Sequence, residues 1–289
     1  MDMRALAMGV AFALMWSSAF TSAKIIVADA SPLYALAIRF LLSGLIGIAL
    51  ARMLGQTWHL TRAQWQATLV FGICQNALYL GLNFVAMQTV EASVAAIIAS
   101  AMPLMVGLFS WLFWGENLGI RAALGLLAGV AGVALVMGSR IQTGVELFGL
   151  MLCGLGVLAL TLATLAVRGA SSGGNFLMVV GLQMLVGAVA LFAVAIPFET
   201  PLLRLSWPLV MAFAYTTLMP GLVATLVWFV LVDRIGAIRA ATFHFLNPFF
   251  GVTIAAVLLR EWLGVLDLIG VIVITISILI VQLEYRRNS

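Results

Sequence analysis

The sequence predicts an all-α polytopic membrane protein of ten transmembrane helices, built as two inverted five-helix repeats. Three observations predict it. Of 289 residues, 64% are hydrophobic and only 8% charged, where an ordinary soluble domain carries roughly 25% charged residues. The charges cluster and leave long apolar runs, each near the roughly 20 residues a bilayer-spanning helix needs. The two halves also match at one offset: Pro103 falls on Pro248, Glu116 on Glu261, Leu118 on Leu263, Gly119 on Gly264 and Gly125 on Gly270. Five spans per half is an odd number, so the second half must enter the membrane from the opposite side, as in carriers with inverted repeats. The repeats are assigned to residues 1–140 and 141–289.

Taken in order, span one (4–26) starts after Arg4 and carries Trp16, Ser17 and Thr21. Its opening imitates a signal peptide, but only a retained helix completes the repeat. Span two (32–53) begins at Pro32 and holds Arg39, about 10 Å along the helix at 1.5 Å per residue. Span three (64–87) places Asn76, Tyr79 and Asn83 at i, i+3 and i+7, one polar stripe on a helix. Span four (92–114) has a small face of Ala92, Ala96 and Ser100, then Pro103. Span five (119–138) contains Gly125 and Gly129, a spacing that favours close helix packing. Span six (146–168) offers Thr161 and Thr164, and span seven (176–197) is almost wholly apolar. Span eight (207–232) aligns Thr217, Gly221 and Trp228, with Pro220 among them. Span nine (237–259) aligns Ala240, His244, Asn247 and Gly251 and contains Pro248; span ten is 263–284.

Connections are short, and Lys and Arg near the helix ends orient the chain. Arg4, Arg52, Arg62, Arg121, Arg168, Arg234, Arg239, Arg286 and Arg287 lie on one side, and Lys24, Arg140, Arg204 and Arg260 on the other. Nine against four predicts both termini in the cytoplasm. Nucleic-acid binding is excluded, because it needs a basic patch on a water-exposed domain. Cys74 and Cys153 fall within apolar runs and are read as buried filler, with neither disulfide nor metal site.

The Trp16-Ser17-Ser18-x-Phe20 run with Lys24, Arg39 in span two, and the two Pro…Glu-x-Leu-Gly modules resemble the drug/metabolite transporter superfamily, in particular its ten-helix EamA-type members. The chain is most similar to bacterial exporters of aromatic and other neutral amino acids. The resemblance implies a central cavity lined mainly by the first, third and fourth helices of each half, with short fifth and tenth helices at the periphery. It also implies residence in the bacterial inner membrane.

Polar groups deep in a span are costly and mark a solute path. The residues expected to bind substrate are Trp16, Ser17, Arg39, Asn76, Tyr79, Asn83, Trp228, His244 and Asn247, with Pro103 and Pro248 as hinges. Arg39 is suited to a carboxylate. At the repeat offset it faces Met184, Tyr79 faces Ala224, His244 faces Ala99 and Asn247 faces Met102. The two-fold is broken there, as an asymmetric solute requires. Glu116 and Glu261 are expected to cap the helix that follows each.

No acidic residue lies centrally in any span, and no phosphate-binding loop occurs, so acidic proton relays and ATP hydrolysis are not expected. The expected activity is export of amino acids, aromatic or other large neutral ones, by alternating access through facilitated diffusion or exchange. The alternative is export of drugs, lipophilic cations or other small metabolites, possible proton coupling resting on His244. No enzymatic activity is expected, since no nucleophile–base pair or metal cluster is present in a span. The expected partners are an amino-acid solute and the lipid bilayer, with no cofactor, acting as a monomer.

Overall fold

The computed structural model describes residues 3–115, 119–142, 144–166, 174–235, 240 and 242–288. Apolar runs in lipid must satisfy their backbone groups internally, which favours helices. Among the described residues the fold is all-helical apart from turns and one isolated bridge, Ala30 to Leu203. The helices are α1 (Met3–Asp29), α2 (Pro32–Met53), α3 (Arg62–Ala86), α4 (Ala92–Phe113), α5 (Ile120–Gln142), α6 (Leu147–Ala166), α7 (Phe176–Phe198), α8 (207–235), α9 (Asn247–Leu259) and α10 (Val265–Asn288). Eight of them, α1 to α8, are long and apolar enough to cross a membrane. Within the described residues α9 and the apolar part of α10, Val265–Val281, are shorter. Residues 237–239 and 241 of the expected span nine lie outside the described residues.

Several of these helices are not continuous α-helix. Gly72–Tyr79 in α3 and Thr217–Val223 in α8 are π-helical. In α4 the helix stops at Ala99 and resumes at Met102, and a 3-10 turn, Thr242–Leu246, precedes α9. Pro103 and Pro248, expected as hinges, do not kink a continuous helix. Each stands at the first turn of a resumed helix, where its missing N–H is not needed.

Two crossings organise the bundle, α2 on α7 and α5 on α10. Both rest on glycine. A Cβ on Gly181 would lie 2.9 Å from the Gly44 carbonyl oxygen, and one on Gly270 would lie 3.1 Å from that of Gly132. Such approach lets backbones pack without a hydrophobic driving force between helices. Gly125 and Gly129 also serve this packing, against Val281, Ser277 and Leu104. The fifth and tenth helices are not short, however: they have 23 and 24 residues. Around this frame α1 packs on α8 and α9, α6 packs on α3 and α4, and α4 packs on α9.

The outer surface is apolar, with Leu45, Leu127, Val189 and Val257 exposed, as a lipid-facing surface should be. The interior is small. Every residue of Ala92–Ala99 is buried, so the first half of α4 forms a narrow central post against which α1, α6 and α9 close.

Candidate functional site

Two cavities flank α1. The first is bordered by Trp16, Phe20, Ala23, Arg39, Tyr79, Asn83, Phe84, Met87 and Pro220, and so draws on α1, α2, α3 and α8. The second is bordered by Trp16, Phe20, Ala96, Ser100, Met102, Pro103, Leu160, His244 and Asn247, from α1, α4, α6 and α9. Trp16 and Phe20 border both. The helices expected to line a cavity do so, and α2 joins them through Arg39.

Arg39 is 4% exposed. Among the described residues no hydrogen bond or ion pair holds its guanidinium, and its Nε is buried without a partner. Its one recorded contact of this kind is the ring of Phe40, 4.8 Å away. A desolvated cation over a ring gains about 2 kcal/mol, less than the several kcal/mol that burying an ion costs. Tyr79, 1% exposed, and Asn83, also 1% exposed, lie on the same cavity. Asn83 Nδ2 donates to the Tyr79 carbonyl at 2.8 Å, which leaves Asn83 Oδ1 buried without a donor.

The second cavity is more fully bonded. Asn247 Nδ2 and His244 Nδ1 lie 2.9 Å apart, and Ser17 Oγ donates to the Asn247 carbonyl at 3.2 Å. His244 is enclosed by Phe12 and Trp228, with ring centroids at 5.4 and 5.1 Å. Phe12 and Trp228 stack at 4.7 Å, and Phe12 lies 5.7 Å from Trp16.

At the other end of α1 the closure is ionic. Lys24 Nζ donates to the carbonyls of Met87 and Val90 at 2.7 and 2.9 Å. Glu261 accepts from the amides of Ala92 and Ser93, both at 2.8 Å. Arg140 joins Glu91 to Asp267, donating to Asp267 through Nε at 3.2 Å and Nη2 at 2.7 Å. Burial pushes the Glu91 carboxyl up, and Arg140 pulls it back. The expected role of Glu261 is therefore corrected. It caps α4, in the other half of the chain, because Asp267 already accepts from Gly264 N at 2.8 Å and serves the turn that follows. Glu116 lies outside the described residues. Glu199 repeats the device on α2, accepting from Leu33 and Tyr34.

The structure thus brings Trp16, Arg39, Tyr79 and Asn83 to one cavity, and Trp16, His244, Asn247 and Pro103 to the other. Ser17, Asn76, Trp228 and Pro248 border neither. Asn76 Nδ2 donates to the Gln183 carbonyl at 3.0 Å and ties α3 to α7. Thr161, Thr164 and Thr217 bond to carbonyls four residues back in their own helices. Phe12, Phe84, Met87 and the carbonyl-capping role of Lys24 carried no sequence signal, being ordinary residue types whose partners are remote in the chain.

A multi-pass helical bundle with a polar, aromatic-walled interior between its halves has the form of a membrane carrier. The chain belongs to the EamA-like transporter family, whose model matches it twice, over residues 3–138 and 147–283. It is 26% identical over 282 residues to the uncharacterized transporter YvbV of Bacillus subtilis, covering 96% of this chain and 90% of that protein. It is 25% identical over 277 residues to the chloroplastic WAT1-related protein At3g02690 of Arabidopsis thaliana, covering 92% of this chain and 66% of that protein. One solved crystal structure superposes with a TM-score of 0.70 at 20% identity, covering 100% of both chains. That likeness bears on the fold alone. Membrane transport is thereby the class of function.

Proposed function

We propose that the protein exports amino acids, aromatic or other large neutral ones, across the bacterial inner membrane by alternating access, as uniport or exchange. The observation that carries this reading is continuity. Trp16 and Phe20 border both cavities, so Arg39, Tyr79 and Asn83 on one side and His244 and Asn247 on the other face successive parts of one path. Aromatic walls suit an apolar side chain, and convergent polar groups suit its head group. A lipophilic cation fits worse, because Arg39 meets it with like charge and, among the described residues, no carboxylate borders either cavity.

Several features support ten spans in two inverted repeats, 1–140 and 141–289, with both termini cytoplasmic. Exchanging the halves turns the α1–α8 contact into α6–α3 and α1–α9 into α6–α4, and all four contacts occur. The π-helical segments also correspond: adding the offset of 145 to 72–79 gives 217–224, against Thr217–Val223. The interruptions at Ser100 in α4 and at Thr242–Leu246 before α9 correspond in the same way. In this reading Pro103 and Pro248 begin the arms that swing, and the hinges are the interruptions before them.

The test is counterflow of labelled phenylalanine in proteoliposomes without an imposed proton gradient. Accumulation that unlabelled leucine or tyrosine drives, and that ethidium does not, is the expected result. A flux that requires a proton gradient would remove the uniport and exchange readings, and one carrying only the dye would remove the amino-acid reading.

A further inference from the structure

Arg39 is a permanent cation that no carboxylate answers among the described residues. Guanidinium stays protonated in proteins, so it cannot escape burial by neutralising. Each element bordering its cavity supplies neutral groups: Trp16 and Phe20 from α1, Tyr79 and Asn83 from α3, Pro220 from α8. Beside it, Gly221 leaves room, since a Cβ there would lie 3.7 Å from Arg39 Nη2. Ser43, one turn further along α2, donates to the Thr217 carbonyl at 3.2 Å and is occupied.

The unmatched groups are unequal in kind. The cation is fixed and demands an anion. The unmatched acceptor on the same cavity is Asn83 Oδ1, a neutral amide oxygen that takes a hydrogen bond from ammonium or hydroxyl alike. An ammonium group finds no carboxylate there. A zwitterion therefore binds with its carboxylate matched by charge and its ammonium matched only by a dipole.

Resting on the transport reading above, we propose that Arg39 makes a carboxylate obligatory in the transported solute and leaves the α-amino group dispensable. The substrate class is then apolar monocarboxylates, neutral amino acids among them, rather than amino acids as such.

The full-length protein in proteoliposomes tests this with labelled phenylalanine and labelled 3-phenylpropionate. Unlabelled 3-phenylpropionate, phenylalaninamide and phenethylamine serve as competitors. The expected result is transport of both labelled acids, with 3-phenylpropionate competing within about threefold of phenylalanine. The amide and the amine should compete at least tenfold more weakly. Arg39→Lys keeps that preference, and Arg39→Gln loses transport of both acids. Should Arg39→Gln fail to fold, the wild-type competitor series and the Lys variant still decide. Phenethylamine competing as well as phenylalanine, or phenylalanine carried while 3-phenylpropionate is excluded, overturns the proposal and leaves the amino-acid reading standing. Transport of 3-phenylpropionate without phenylalanine overturns the amino-acid reading and keeps the carboxylate requirement. Movement of neither acid overturns both.

Discussion

At the Lys24 end of α1, five charged side chains and the N-terminus of α4 hold the halves of the chain together. At the opposite end of the path Phe12, Trp228 and His244 close with ring contacts and one hydrogen bond. The difference is one of tolerance. Charge-assisted hydrogen bonds need set distances and angles, so the ionic end opens only by breaking several bonds at once and rehydrating the ions. Aromatic faces exchange partners at comparable energy across many offsets, so the other end opens by sliding. Under the alternating access proposed above, the ionic end is the stiff gate and the aromatic end the compliant one.

The largest effect expected at the stiff gate follows Asp267→Ala, which strips Arg140 of its main partner. Arg140 is 7% exposed and keeps Glu91 as a partner, so the cost falls below the roughly 3–5 kcal/mol of a buried charge left with no partner. The purified variant should unfold at lower temperature, and an unchanged melting curve would mean that Glu91 and the Trp262 carbonyl suffice to hold Arg140. At the compliant gate Gly9→Leu drives a side chain into the Phe243 ring, which a Cβ would already meet at 2.2 Å. Overpacking of this kind costs about 1–3 kcal/mol. Flux should drop well below that of Gly138→Ala, a control with no atom within 4 Å. Equal flux in the two would show that α1 does not need to close on Phe243. Glu261→Gln keeps the shape but loses the charge over the α4 amides, at about 1–2 kcal/mol. It should speed exchange at the Lys24 end, read as faster labelling of a cysteine placed there, and slower labelling would contradict the stiff-gate reading.

Much of this was legible in the sequence because hydropathy and glycine spacing are local. Eight of the spans, the Gly125–Gly129 packing face and the place of Arg39 within α2 follow from residues within one helix. The partners of Lys24 and Glu261 were not legible, since the carbonyls that accept from Lys24 and the amides that donate to Glu261 are 63 and more residues away. Neither was the fate of Asn76. The α-helical stripe of Asn76, Tyr79 and Asn83 assumes a constant turn, whereas Gly72–Tyr79 is π-helical. The wider i→i+5 turn rotates the face; Asn76 meets α7 while Tyr79 and Asn83 reach the cavity. Nothing in those residues announces a π-helix, for they carry no proline. Arg39 is the reverse case. Its place within α2 was plain, but only the tertiary structure reveals that, among the described residues, no carboxylate meets it.

In the transport reading proposed above, Arg39 is held for the solute and not for the fold. The direct measurement is the melting temperature of Arg39→Met alongside its flux of labelled phenylalanine. Exchanging an unpaired buried charge for an apolar side chain of similar length should stabilise the protein by about 1–4 kcal/mol while transport is lost. A variant that melts at lower temperature than the parent and still transports would contradict it.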